Sequence, residues 1–203
     1  MNRLGRDFFA RPALIVAREL LGTRLVRLEH GQRLAGLIVE TEAYSGETDL
    51  GCHCRAGRTP RTSVMYGPPG HAYVYFTYGM HWCLNFVVEA QGFPAAVLIR
   101  AIEPVEGLDR IAARRAEVVQ KRWTDGPAKL TRALNIDRAF NGADVCASEA
   151  TLFCEPGSAV PDAQIICSAR VGLNNVPEPW RSIPWRFQTA PGWLNATNPQ
   201  AMG

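Results

Sequence analysis

The chain has 203 residues, of which 47% are hydrophobic and 20% charged, with a formal net charge of +3. That length suits one domain, able to bury roughly 70% of its unfolded surface without disulfide or metal staples. The composition excludes a chain that is disordered throughout. Arg3, Arg6, Asp7 and Arg11 leave only a short apolar run, "PALIVA", near the start. Neither a signal peptide nor a membrane span is expected there, so the six cysteines read as reduced thiols of a cytoplasmic protein. Of the 22 basic residues only Lys121 and Lys129 are lysines. An arginine-rich balance suits bidentate phosphate contacts, and GC-rich codon usage produces the same bias.

In chain order, residues 12–21 predict a helix with Pro12 at its first turn and Gly22 as its stop. "TRLVRLEHGQRLAGLIVETEAY" predicts two strands joined at "EHGQ". Counting by twos along the second strand puts Ile38, Glu40 and Glu42 on one face and Leu37, Val39 and Thr41 on the other. Residues 45–71, rich in Gly, Pro, Ser and Thr, read as a long loop, and a loop of that length in a compact domain is usually functional or disordered. "AYVYFTYGMHWCLNFVVEA" predicts a hairpin turning at "YGMH". "AAVLIRAIEP" predicts a strand ended by Pro104, and "VEGLDRIAARRAEVV" and "GPAKLTRALNI" predict helices. Beyond residue 141 the pattern breaks into short pieces, including a strand within 163–172. One domain over residues 1–194 with a frayed tail over 195–203 is the expected organisation.

Four features bear on chemistry. All five tyrosines fall between Tyr44 and Tyr78, which describes either a half-buried sheet face or a platform for stacking bases. Tyr78 sits at the hairpin tip, where a large aromatic has no core to fill and is suited to wedging into a duplex. Cys52-His53-Cys54 is a poor metal chelate, because adjacent side chains on an extended chain diverge and no second close cysteine pair exists. His53 is left as a lone polar side chain in a loop, and most such histidines are structural. Glu40 and Glu42 at the end of a strand are either solvated or placed for general-base work. No P-loop, dinucleotide fingerprint, nucleophile elbow or zinc-deaminase pattern occurs. A lysine nucleophile would have to be Lys121 or Lys129, both distant in sequence from the loop.

The ordered set "IVETEAY", "HCRAGRTPR", "MYGPPGHAYVYFTYGMHWCLN", "VLIRAIEP", "GPAKL" and "ARVG" resembles the alkyladenine (3-methyladenine) DNA glycosylase family over residues 5 to 190. The resemblance implies an α+β fold: one mixed domain around a curved antiparallel sheet, with flanking helices and a protruding hairpin that wedges into DNA. It implies base excision repair by a monofunctional glycosylase. Such an enzyme flips alkylated or deaminated purines out of duplex DNA and hydrolyses them away, leaving an abasic site, with neither metal nor other cofactor. Carried over by position, Glu42 is the general base, Arg100 helps hold the attacking water, and the backbone of Val171 is a further water contact. Tyr44, His53 and Tyr75 wall the base pocket, Asn85 screens bases by clashing with an exocyclic amino group, and Tyr78 is the wedge. The implied partner is double-stranded DNA containing a damaged purine. No membrane or obligate protein partner is implied, and a monomer is the default. The chain departs from the pattern at Thr62, often Asn in the family, and in the cysteines beside His53. The rival readings are a non-catalytic damaged-DNA-binding protein on the same scaffold, a zinc-dependent hydrolase and an RNA binder.

Overall fold

The computed structural model describes residues 2–193, so the tail expected from Asn195 lies outside the described residues. One antiparallel sheet of eight strands organises the chain, with helices against one face. Two short helices come first, α1 (Arg6–Phe9) and α2 (Ala13–Glu19). In α2 the residues Ala13, Val16 and Ala17, continued by Leu20, form one buried stripe at the spacing of a helix face. Strands β1 (Arg24–Glu29) and β2 (Gln32–Ser45) follow, joined by a turn in which His30 and Gly31 take positive φ of 49° and 76°. The hairpin strands are β3 (Ala72–Thr77) and β4 (His81–Val87), and β5 (Ala95–Glu106) returns beside β2. Helices α3 (Leu108–Arg114) and α4 (Pro127–Leu134) precede three short strands, β6 (Leu152–Glu155), β7 (Ile165–Ser168) and β8 (Arg186–Thr189).

The strand path is β3-β4-β5-β2-β1-β6, with β8 pairing both β2 and β7. The central strand β2 divides its free edge: its first half pairs β1, while Glu40, Thr41 and Glu42 pair β8. The main core lies between the sheet and the helices and includes Ile38, Ala43, Val74, Leu84, Phe86, Val97, Ile99 and Leu130. A smaller cluster on the other face holds Cys52, Cys54, Met65, Tyr73, Val87 and Ala96. Residues 45–71 cover that second face with little regular structure beyond two 3₁₀ turns, His53–Ala56 and Ser63–Tyr66.

Three expectations change. Ile38 does not share a face with Glu40 and Glu42. The β2–β5 register shifts between Ile38 and Glu40, and again between Glu40 and Thr41. Val39 is the extra residue on β2 and Arg100 the skipped residue on β5, so parity inverts and Ile38 joins Thr41 and Ala43 on the core side. Pro104 does not end its strand. It pairs Gly36 at a ladder irregularity, one of the places where a sheet accepts proline. The helix expected from residue 105 begins only at Leu108, because Val105 and Glu106 still belong to β5 and Gly107 turns the chain with φ 72°.

Candidate active site

Alternation along β2 gives Glu40, Glu42 and Tyr44 a common face, and the register shifts turn that face away from Ile38 and the helices. Glu42 has 0% exposure. Its Oε1 accepts the backbone N–H of Val171 at 2.7 Å and its Oε2 accepts the Tyr44 hydroxyl at 2.8 Å. Arg100 projects from its bulge between the two glutamates. Its Nε donates to Glu40 Oε1 at 2.7 Å, and its Nη1 lies 3.3 Å from Glu42 Oε1. Burial would lower the Arg100 pKa, but the two carboxylates outweigh it and hold the group cationic. Arg186 of β8 donates its own Nε to the same Glu40 oxygen at 2.6 Å.

Tyr44 and Val171 also line a cavity of about 160 Å³, whose walls include His53, Tyr73, Tyr75 and Asn85. The alternation of β3 supplies two of these rings. Ala72 and Val74 enter the main core, while Tyr73 and Tyr75 turn to the opposite face. The His53 ring meets Tyr75 edge-on at 4.5 Å between centroids, and its Nδ1 lies 3.0 Å from the Tyr73 hydroxyl. His53 is exposed as a whole residue, but desolvation of its ring against the two tyrosines first, and then the charges of Arg61 and Arg55, push its pKa down to about 4, so the ring is neutral near pH 7. Burial raises the Tyr73 phenol to about 12 and the Tyr75 phenol further. Burial and the Glu42 charge raise Tyr44 well above its usual range, so all three remain protonated donors. Asn85 spends its amide N–H₂ on the Tyr73 carbonyl at 3.0 Å. That bond fixes which way the amide points.

Sequence reasoning missed the support behind these walls. Arg170 and Asp49 form a fully buried bidentate pair at 2.6 and 2.7 Å. Arg170 also donates to the Ala43 carbonyl and lies 4.6 Å from the centroid of the Tyr44 ring. It thereby fixes the peptide that delivers the Val171 N–H. Arg61 takes a similar place against Tyr75, at 5.2 Å. The available signals were weak, since Arg170 stands inside the motif "ARVG" and Asp49 in the loop after Glu42.

The two departures are built into the loop. Thr62 is buried, accepts the Thr59 N–H at 2.9 Å and donates to the Gly57 carbonyl at 3.2 Å, so it ties the loop locally. Cys52 lines the cavity and Cys54 packs its sulfur 3.3 Å from that of Met65. Among the described residues, no three His, Cys, Asp or Glu side chains are grouped to hold a metal ion, and no helix is long and apolar enough to cross a membrane.

Tyr78 stands apart from the cavity floor. It is 83% exposed at the β3–β4 turn, beside Met80 at 67%. Tyr78 and Gly79 have φ of 51° and 68°, the sign pattern of a type I′ hairpin turn, and the Met80 N–H closes onto the Thr77 carbonyl. A positive φ at a bulky aromatic is uncommon and strained, and such strain concentrates at functional positions.

The structure therefore brings Glu42, Arg100, Val171 and Tyr44 into one cluster and His53, Tyr75 and Asn85 around one cavity, with Tyr78 at its rim. The model of the methylpurine-DNA glycosylase family matches residues 7–191. A protein of Myxococcus xanthus is 50% identical over 187 residues, covering 92% of this chain and 90% of that protein. One of Methanocella arvoryzae is 51% identical over 188 residues, covering 92% of each. One of Carboxydothermus hydrogenoformans is 47% identical over 184 residues, covering 91% of this chain and 93% of that protein. All three carry the name "Putative 3-methyladenine DNA glycosylase". With its family model matched over nearly the whole chain, this protein belongs to the methylpurine-DNA glycosylase family and is a DNA glycosylase, a hydrolase of DNA repair.

Proposed function

We propose that this glycosylase is monofunctional, flips damaged purines out of duplex DNA and releases them by direct attack of water, with Glu42 as general base. The observation that carries the reading is the buried Glu42 carboxylate, held by Val171 N–H, the Tyr44 hydroxyl and Arg100 directly behind an aromatic-walled cavity. Glu40 is the other candidate, but its contacts are with Arg100 and Arg186, whereas Glu42 is bound by Tyr44 and Val171, two residues of the cavity wall.

A base stacked in its duplex is out of reach of any carboxylate, so extrusion comes first and costs a few kcal/mol, least for a damaged pair. Tyr78 fills the gap left in the stack. Tyr44 and Tyr75 take the base between them and neutral His53 offers one ring nitrogen to its edge. Asn85, its amide already turned toward the Tyr73 carbonyl, stands against an exocyclic amino group. Glu42 takes the proton as the water adds to C1′, and its charge steadies the oxocarbenium-like sugar. Arg100 and the Val171 backbone hold the water in line. Cationic alkylated bases leave unaided and gain from the aromatic faces, whereas a neutral base such as hypoxanthine needs a proton first. No lysine takes part, so the product is an intact abasic site. The chain acts alone, on double-stranded DNA and without a cofactor.

The test uses duplexes with one hypoxanthine and duplexes treated with a methylating agent, in chelator. Release of free base by wild type and not by Glu42→Gln, with a strand break only after alkali, is the expected result. Intact lesion binding with no release by wild type would instead favour a damage-binding protein. Strand cleavage that requires Lys121 or Lys129 would overturn the monofunctional mechanism.

A further inference from the structure

Glu40 has no role in that mechanism, yet its side chain is only 12% exposed and its single oxygen Oε1 accepts two guanidinium N–H groups, from Arg100 at 2.7 Å and Arg186 at 2.6 Å. A carboxylate this enclosed is costly unless its partners repay the lost hydration, and breaking such a set is far more damaging than never having built it. The four side chains form a row of two carboxylates and two guanidiniums. Their order in space is Arg186, Glu40, Arg100, Glu42. Arg100 is the shared member, and the sharing is unequal. Its one hydrogen bond in the group goes to Glu40, while its Nη1, 3.3 Å from Glu42, makes an ion pair without hydrogen-bond alignment.

We infer that Glu40 is a positioning residue that holds Arg100 by its Nε and so keeps the guanidinium from closing onto Glu42, leaving the Glu42 carboxylate open to the attacking water and the Arg100 Nη groups turned toward it. The inference rests on the reading of Glu42 as general base. Arginine and a lone carboxylate otherwise prefer a bidentate fork. In that fork Glu42 would lose its access to water. Glu40 competes for the guanidinium and wins because it engages the Nε edge, which the bulge at Arg100 presents to it. Arg186 completes the arrangement from β8, which is hydrogen-bonded to β2 at the two glutamates themselves. Glu40 also supplies charge. Without it, two guanidiniums would face a single carboxylate where the sugar becomes cationic, and the surplus positive charge would oppose the transition state.

The experiment compares wild type, Glu40→Gln, Glu40→Asp and Glu42→Gln in single-turnover excision at saturating protein across pH, with affinity for lesion DNA measured separately. Nε–H exchange at Arg100, followed by NMR, provides a readout that needs no activity. Glu40→Gln is expected to slow excision roughly ten- to a hundredfold with affinity held within about threefold. It is expected to move the acidic limb of the rate profile to lower pH and to expose the Arg100 Nε–H to faster exchange. Glu40→Asp keeps the charge and is expected to restore part of the rate. A structural role alone would lower the rate of Glu40→Gln in proportion to lost folded protein, with the pH profile in place, and that result would overturn the proposal. Equal Nε–H exchange in wild type and Glu40→Gln would overturn it whatever the activity. An inactive wild type with a protected Arg100 Nε–H would instead count against Glu42 as base and leave the hold on Arg100 standing.

Discussion

The N–H of Val171 reaches Oε1 of Glu42 across 129 residues of sequence, and the residue that places it is its neighbour Arg170. Arg170 and Asp49 have no side-chain exposure, so each depends on the other for the charge it buries. Asp49→Asn is expected to destabilise the fold by about 3–5 kcal/mol, because an uncompensated guanidinium is left in the interior. It is also expected to slow excision in the fraction that remains folded, since the Val171 N–H loses its anchor. Thermal unfolding and single-turnover rates check the two effects separately. A stable variant with full activity would remove Arg170 from the support of the site.

Tyr78 is exposed and packs into none of the core clusters, which suits the proposed wedge. Tyr78→Ala is expected to weaken affinity for lesion-containing duplex by roughly tenfold, the scale of losing one inserted side chain, and to leave the unfolding temperature unchanged or slightly higher. Fluorescence of a base analogue opposite the lesion reports flipping directly. A variant that flips and binds as wild type would end the wedge assignment.

His53 is expected to stay neutral well below the usual histidine range. The unfolded chain binds its proton near 6.5 and the folded chain only near 4. Stability is therefore complete above about pH 6.5, declines as pH falls toward 4, and loses nothing more from this group below that. Ring-proton NMR should give a midpoint near 4, raised by Arg61→Gln because one of the two repelling charges is gone. A midpoint between 6 and 7 would mean that Tyr73 and Tyr75 do not shield the ring from water.

Glu29 shows the opposite sign. It is buried at the end of β1, where Arg110, Arg114 and Asn135 converge on its two oxygens. Burial alone would raise its pKa, but the three donors together bring it from 4.5 to about 2. Its contribution is present above the ordinary carboxylate range and disappears as pH falls through 2. Glu29→Gln is expected to cost on the order of 3 kcal/mol near neutrality, with the gap to wild type closing between pH 4.5 and 2. Denaturant titrations at several pH values test this, and a gap independent of pH would mean that packing, and not charge, holds this corner.

Local pattern was enough for the hairpin with Tyr78 at its tip, the strand carrying Glu40 and Glu42, the start of α2 at Pro12 and the long loop over 45–71. Each depends on neighbours in sequence: alternation, a Tyr-Gly turn, a proline at a helix start. The ordered motifs also marked Glu42, Arg100, His53 and Val171 before any contact between them was visible. What only the tertiary structure decided depends on residues that sequence keeps apart. The register shifts at Val39 and Arg100 arise from pairing two strands about sixty residues apart, and they alone turn Glu40 and Glu42 away from Ile38 and put Arg100 between them. The strand β8, which brings Arg186 to Glu40, is four residues long and has no pattern of its own until β2 offers it an edge. Asp49 and Arg170 look like ordinary surface charges in a list of residues. They are buried because each finds its counter-charge across the fold, and side-chain composition carries no record of that meeting.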